Sequence, residues 1–289
     1  MIAPPLSGQV ALVTGANTGI GRVTATQLAL QGVHVFLACR SEEKTRPVLA
    51  DIANQSGGRA RAEFLPLDLG DLASVRQCAW TFLARGLPLH LLVNNAGLAG
   101  QKGTTESGFE LTFGVCHVGH FLLTSMLLDA LKASAPARIV VVASKAHRHA
   151  KGIDFDAVRE PTLSPGGLRE YAVAKLANVL FASELARRLQ GTGVTTYSLH
   201  PGVVASDVWR AVPWPIASLI KPFMLSSQEG AATSLYCAAS PECAGQSGLY
   251  YDKCRPVSPS HVARDPLLAG RLWKASEQWI QAVRAPGSP

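Results

Sequence analysis

Strand-length apolar runs alternate with helix-period stretches from Gln9 to about Leu199. The first run, Val10-Ala11-Leu12-Val13, is apolar without alternation, as in a strand covered on both faces. Thr14-Gly15 breaks it, and helix-compatible residues follow from Arg22 to Leu30. Further strands are predicted at residues 33–38, 62–67, 89–93 and 139–143, at a run closing near Leu199, and at 247–251. Helical periodicity marks residues 109–131, 171–189, 231–239 and 266–283.

The first strand, its turn and the helix after it set the architecture. Gly15, Asn17, Thr18, Gly19, Ile20, Gly21 and Arg22 form a Gly-x3-Gly-x-Gly turn leading into a helix. Backbone without side chains lets a pyrophosphate approach closely, and the N–H groups and dipole of a helix start favour its charge. The spacing differs from the commoner Gly-x-Gly-x-x-Gly, and Arg22-Val23 after Gly21 excludes the Gly-Lys-Ser/Thr ending of a triphosphate loop. Taken alone, the turn is equally that of a strand meeting a helix with no ligand. With the alternation it predicts an α/β, Rossmann-like, doubly wound fold: a mostly parallel seven-stranded sheet with helices on both faces. Residues 1–284 read as a single dinucleotide-binding and catalytic domain, with residues 285–289 as a disordered tail.

The strand ends carry the candidate cofactor contacts, because ligands of such sheets bind outside the carboxyl ends. The second strand ends at Cys39-Arg40-Ser41, where an acidic residue would meet a ribose hydroxyl and an arginine a 2′-phosphate. Arg40, with Arg22 as a second cation, predicts NADP (NADPH) over NAD. Asp68-Leu69 ends the third strand; Asn94-Asn95-Ala96-Gly97 ends the fourth with small residues suited to a flat cofactor.

Composition narrows the function classes. Hydrophobic residues make up 47% and charged residues 16%, enough for a large core and far from disorder. The net charge of +7 is scattered, with no basic run interleaved with aromatics, so no nucleic-acid partner is expected. None of the six cysteines forms a Cys-x-x-Cys pair, which points to a reducing compartment and no zinc site. No charged leader precedes an apolar stretch, and the long apolar runs read as broken before the about 18 residues a membrane span needs. A soluble, cytoplasmic protein without an integral membrane segment is expected.

Reactive side chains cluster late in the chain. Ser144 follows the fifth strand, and no Gly-x-Ser-x-Gly elbow supports a serine hydrolase. Tyr171 and Lys175 lie one helical turn apart, so an ammonium can stabilise a phenolate that would otherwise be a poor acid-base group at neutral pH. His117 and His120 occupy neighbouring turns but lack a carboxylate at ligand spacing, so no metal is expected. His147 and His149 read as loop residues with structural or polar roles.

Thr14-Gly15-Ala16-Asn17-Thr18-Gly19-Ile20-Gly21, Ala38-Cys39-Arg40-Ser41, Asn94-Asn95-Ala96-Gly97, Gly119-His120-Phe121-Leu122-Leu123-Thr124, Tyr171-x3-Lys175 and His200-Pro201-Gly202-Val203-Val204 occur in that order. From Gln9 to Tyr251 the chain resembles the short-chain dehydrogenase/reductases, and within them the retinol dehydrogenase branch. The resemblance implies Tyr171 as proton donor or acceptor, Ser144 on the reacting oxygen, Lys175 on the nicotinamide ribose, Asp68 at the adenine and Val204 at the nicotinamide amide. It implies an NADP(H)-dependent oxidoreductase acting on a small lipophilic aldehyde, ketone or alcohol.

Two departures qualify that implication. Cys116 stands where the family has an asparagine whose main-chain carbonyl serves the proton relay, so a cofactor-binding protein with weak or lost catalysis is the alternative. Vertebrate retinol dehydrogenases commonly carry an N-terminal membrane segment that this chain is not expected to have. The apolar, proline-punctuated residues 208–225 read as a substrate lid, a membrane-surface contact or the contact of a homo-oligomer.

Overall fold

The computed structural model describes residues 6–202 and 225–282. Seven strands run parallel in one sheet: β1 (Val10–Thr14), β2 (His34–Cys39), β3 (Ala62–Pro66), β4 (Leu91–Asn94), β5 (Ala137–Val142), β6 (Val194–His200) and β7 (Leu249–Asp252). A two-residue β8 (Arg255–Pro256) adds an antiparallel edge, giving the order β3-β2-β1-β4-β5-β6-β7-β8. The sheet is therefore eight-stranded rather than seven-stranded. The extra strand hangs on a tight turn in which Lys253 and Cys254 both take positive φ (52° and 58°), without the glycine or asparagine that would mark a hairpin in sequence.

Helices α1 (Gly19–Leu30), α2 (Glu42–Ser56), α3 (Leu72–Leu83), α4 (Leu111–Phe113), α5 (Gly119–Ala133), α6 (Leu168–Arg188), α7 (Ser227–Ala239) and α8 (Pro266–Ala282) cover both faces. Alternate residues of β1 divide between two cores, as the pleat requires. Val10 and Leu12 join Phe82 of α3, Phe121 of α5, Leu176 and Leu180 of α6 and Trp273 of α8. Ala11 and Val13 join Leu28 of α1, Ile52 of α2 and Cys237 of α7. All five residues of β1 are buried, which accounts for its unbroken apolar run.

The helix predicted over 109–131 is composite. Between α4 and α5 lies a π turn, Gly114–Val118, centred on Cys116. The 23 residues Leu111–Ala133 are long and apolar enough to cross a membrane, contrary to the reading that charges or prolines break every apolar run before that length. Of the most apolar window in that helix, 72% is buried inside the fold, with Phe113, Phe121, Leu123 and Leu127 packed as core. A helix buried among other helices and a sheet needs the same composition as one buried in lipid.

The order reverses between β1, whose neighbours are β2 and β4, and the strands beyond it. A crevice opens at such a switch point, outside the carboxyl ends of the strands.

Candidate active site

A cleft of about 2340 Å³ occupies that crevice, and it collects residues from the ends of β1, β2, β3, β4 and β5. Gly15 turns the chain out of β1 with φ +63°, and its N–H donates to the Ala38 carbonyl at 2.9 Å. Gly21 permits close packing: a Cβ there would run into the Gly15 carbonyl and the Asn95 amide. The Asn95 side chain donates to the Thr14 carbonyl at 2.8 Å, joining the end of β4 to the turn. The Thr14 hydroxyl accepts from the N–H groups of Asn95 and Ala96, each at 2.9 Å. Thr18, Gly19 and Ile20 open α1 against the cleft, and the first helical turn holds no acidic side chain, so the helix start suits an anion.

At the far end of the cleft stand Arg40, Asp68 and Leu69, as predicted, and also Ser41 and Lys44. Ser41 caps α2 by accepting from the Lys44 N–H at 3.2 Å, which turns the first loop of α2 toward Arg40. Asp68 accepts from the Gly70 N–H at 2.9 Å. Arg22 does not reach the cleft; its guanidinium pairs with Asp51 of α2. From the first turn of α1 the side chain lies over the neighbouring helix, a direction that residue type alone cannot specify.

At the other end Ser144, Tyr171 and Lys175 line the same space. Tyr171 sits in the first turn of α6 and Lys175 one turn on, with the ammonium 5.6 Å from the phenol ring centre. Lys175 is buried and donates to the Val142 carbonyl at 2.9 Å; Asn178 donates to the same oxygen at 3.2 Å. Gly97 makes room for this arrangement, since a Cβ there would lie 3.3 Å from Lys175 Nζ and 3.4 Å from Cys116 Sγ.

Two histidines brace the turn that carries Ser144. His147 donates from Nδ1 to the Ser144 carbonyl at 2.6 Å and accepts from the Ser260 N–H at 3.0 Å. His200 accepts from the Lys145 N–H at 3.3 Å, while Lys145 pairs with Asp252 at 2.8 Å. Burial pushes His200 down to about 4, against the pull of Asp252, so it stays a neutral acceptor. Burial likewise lowers His147.

The sequence pattern of the short chain dehydrogenases matches residues 9–155, which carry the glycine turn, Arg40, Asn95 and Ser144. This chain belongs to the short-chain dehydrogenase family. Retinol dehydrogenase 12 from Homo sapiens is 44% identical to this short-chain dehydrogenase over 274 residues, covering 94% of this chain and 86% of that protein. An uncharacterised protein from Mycobacterium Paratuberculosis superposes with a TM-score of 0.77 at 30% identity, covering 96% of this chain and 95% of that one. The RhlG/NADP complex from Pseudomonas aeruginosa superposes with a TM-score of 0.65 at 28% identity, covering 86% and 96%.

Within the dehydrogenase, every predicted cofactor residue that is described, Arg22 excepted, lines the one cleft. Val204 and residues 208–224 lie outside the described residues. Sequence reading missed Lys44 and His200 as parts of the site, whereas His147 has the structural role read for it, bracing the Ser144 turn. A Ser41 N-cap ahead of Glu42-Glu43 was the available signal for Lys44, while His200 depends on a pairing across the chain. His117 and His120 diverge: His117 Nε2 meets Ser276 Oγ at 2.9 Å among aromatic rings, and His120 turns toward Thr14. The cleft is also lined by the apolar Leu98, Phe113, Val115, Ile153 and Val158, with Leu168 at 57% and Leu163 at 78% exposure, alongside the polar Gln101, Lys151, Asp154 and Arg169.

Proposed function

We infer that this oxidoreductase uses NADP(H) to interconvert an apolar aldehyde or ketone and the corresponding alcohol. The observation that carries the reading is the single cleft in which the glycine turn and Arg40 meet Ser144, Tyr171 and Lys175. The cradle fits a dinucleotide, since Gly15, Thr18, Gly19 and Ile20 bring a helix start without an acidic first turn to the cleft that Arg40 and Lys44 also line. When bound, the nicotinamide supplies or takes the hydride.

The chain's own residues do the rest. The first turn of α1 and the glycine backbone hold the pyrophosphate. Arg40 and Lys44 would hold the 2′-phosphate of a bound NADP(H), a group whose charge a guanidinium and an ammonium match. Asp68 and Leu69 flank the adenine, and Asn95 fixes the backbone beneath the cofactor through the Thr14 carbonyl. Lys175, anchored at Val142, holds the nicotinamide ribose and places its positive charge beside Tyr171. Tyr171 then gives its hydroxyl proton to the carbonyl oxygen in reduction and recovers it in oxidation. Ser144 donates a hydrogen bond to the same oxygen as charge develops there.

The apolar lining residues Leu98, Phe113, Val115, Ile153 and Val158 favour a lipophilic substrate, in keeping with a relative that carries the name retinol dehydrogenase. The test is to incubate the protein with NADPH or NADH and a panel of aliphatic, aromatic and polyene aldehydes while following nicotinamide absorbance. Turnover of apolar aldehydes with a preference for NADPH is expected. Turnover confined to NADH, or to small polar carbonyls, would overturn it.

A further inference from the structure

His120 is almost wholly buried, at 1% exposure, and neither end of its ring faces the cleft lining. Nδ1 lies 3.0 Å from the carbonyl of Cys116 in the π turn, and Nε2 lies 2.9 Å from the Thr14 hydroxyl at the end of β1. A carbonyl only accepts, so the ring proton is on Nδ1. A neutral ring then has a bare Nε2, which accepts from the Thr14 O–H. That assignment suits Thr14: its hydroxyl accepts twice, from the N–H groups of Asn95 and Ala96, and donates its one proton to Nε2 at 2.9 Å in preference to the Val93 carbonyl at 3.4 Å.

The other ring states fail by the same count. With the proton on Nε2, the Thr14 oxygen would face three donors and Nδ1 would oppose the Cys116 carbonyl, lone pair against lone pair. A doubly protonated ring also brings a third donor to Thr14. Burial, with Lys175 nearby adding to it, pushes His120 down to about 4 although its bond to the Cys116 carbonyl pulls the other way.

The ring bonds the end of β1 and the π turn directly, and the Asn95-Ala96 bend after β4 through the Thr14 hydroxyl. Gly97 follows that bend, and a Cβ there would lie 3.3 Å from Lys175 Nζ and 3.4 Å from Cys116 Sγ. We propose that His120, as the neutral Nδ1–H tautomer, is a positioning residue that ties the Cys116 carbonyl to the floor of the cofactor cleft and so holds Lys175 and Tyr171 in register with it. The inference rests on the reading of an NADP(H) oxidoreductase. Asn95 ties the adjoining Thr14-Gly15 turn through its own side chain, and the start of α1 and the Arg40 end are not bonded to His120, so loss of His120 acts chiefly on turnover. A misplacement near 1 Å at the reacting end costs about 100-fold.

The test compares His120→Asn, His120→Gln and His120→Phe. Asparagine can place a donor near the Nδ1 position; glutamine can place an acceptor near Nε2; phenylalanine keeps only the ring. NADPH affinity, read by nicotinamide fluorescence, should stay within about threefold in all three. The kcat of the phenylalanine variant should fall about 10- to 100-fold, with a larger isotope effect from deuterated NADPH as the hydride step becomes limiting. Asparagine should recover more kcat than glutamine, because Thr14 keeps other partners while the Cys116 carbonyl loses its ring donor. Ring ¹⁵N shifts of the unmutated protein should show a protonated Nδ1 and a bare Nε2.

A phenylalanine variant within about twofold of the unmutated kcat would overturn the proposal. So would an Nε2–H tautomer, or glutamine outperforming asparagine. If phenylalanine prevents folding, the Asn/Gln comparison and the ¹⁵N shifts decide. Absence of turnover in the unmutated protein would instead strike the proposed function, leaving the tautomer measurement to judge the bracing.

Discussion

Arg22 of α1 pairs with Asp51 of α2, whereas Arg40 lines the cleft beside Lys44. The sequence places both arginines at a 2′-phosphate; the ion pair takes one of them away. Cofactor choice should therefore rest on Arg40 and Lys44. Arg40→Asp is expected to reverse the ratio of kcat/KM for NADPH over NADH. Lys44→Ala should lower it about 10- to 100-fold, in line with about 1.5–3 kcal/mol for a hydrogen bond to a charged group. Arg22→Ala should leave the ratio unchanged and alter stability by less than about 1 kcal/mol, as its pair is half-exposed. An Arg22→Ala variant that loses NADPH preference as Lys44→Ala does would place its guanidinium on the phosphate.

Tyr171→Phe should separate binding from chemistry. The ring remains to pack against Lys175, and the pyrophosphate and Arg40 contacts lie elsewhere, so NADPH affinity should be kept. Turnover should fall by about 10²- to 10⁴-fold, the usual worth of positioned proton transfer. Steady-state kinetics beside fluorescence titration reads both. Turnover near the unmutated rate would remove Tyr171 from the acid-base role.

The contrast between Arg40 and Arg22 also marks what was legible in the chain. Positions at strand ends could be assigned, because a parallel strand delivers its carboxyl end to the crevice whatever the side chain; Arg40, Asp68, Asn95 and Ser144 all follow this rule. Tyr171 and Lys175 were legible because helical spacing fixes their common face. Arg22 was not, since a long side chain on an exposed helix turn chooses among neighbours that only the packing supplies. The π turn at Cys116 and the hairpin at Lys253-Cys254 escaped for another reason. The Lys253-Cys254 turn carries no proline, glycine or asparagine, and Gly114 at the head of the π turn has an ordinary place in a helix, while the bond from His120 to the Cys116 carbonyl is visible only in the fold. His147 and His200 work through main-chain partners distant in sequence, Ser260 and Lys145.

Buried histidines should make the fold acid-sensitive. Burial, with His120 close by, holds His117 down at about 3, and burial holds His120 and His200 at about 4, while an unfolded histidine titrates near 6.5. Above about pH 6.5 neither state is protonated and these groups cost nothing. As pH falls below that value the unfolded chain gains protons that the folded one does not, so stability drops until the folded pKa values are reached. The expected slope is up to about 1.4 kcal/mol per pH unit for each such histidine. His117→Gln, which can keep the Ser276 bond, should flatten the fall of Tm between pH 6.5 and 4. An unchanged slope would mean that His117 is protonated in the folded state.

Cys116 tests whether the π turn works through its backbone or its thiol. Its Sγ is buried and approaches the Leu98 carbonyl at only 3.9 Å, whereas its carbonyl receives the His120 bond at 3.0 Å. Cys116→Ala removes the thiol, leaves the carbonyl and opens a small void, so kcat should stay within about twofold. Cys116→Asn brings an amide able to donate to Leu98 and should raise turnover modestly if the turn gains rigidity from it. Mild peroxide should leave the unmutated enzyme active, because an enclosed thiol is inert to oxidation. Turnover of the three proteins at saturating NADPH, with and without peroxide, distinguishes the cases. A tenfold loss in the alanine variant with NADPH affinity unchanged, joined by peroxide inhibition of the unmutated protein alone, would make the thiol itself part of the site.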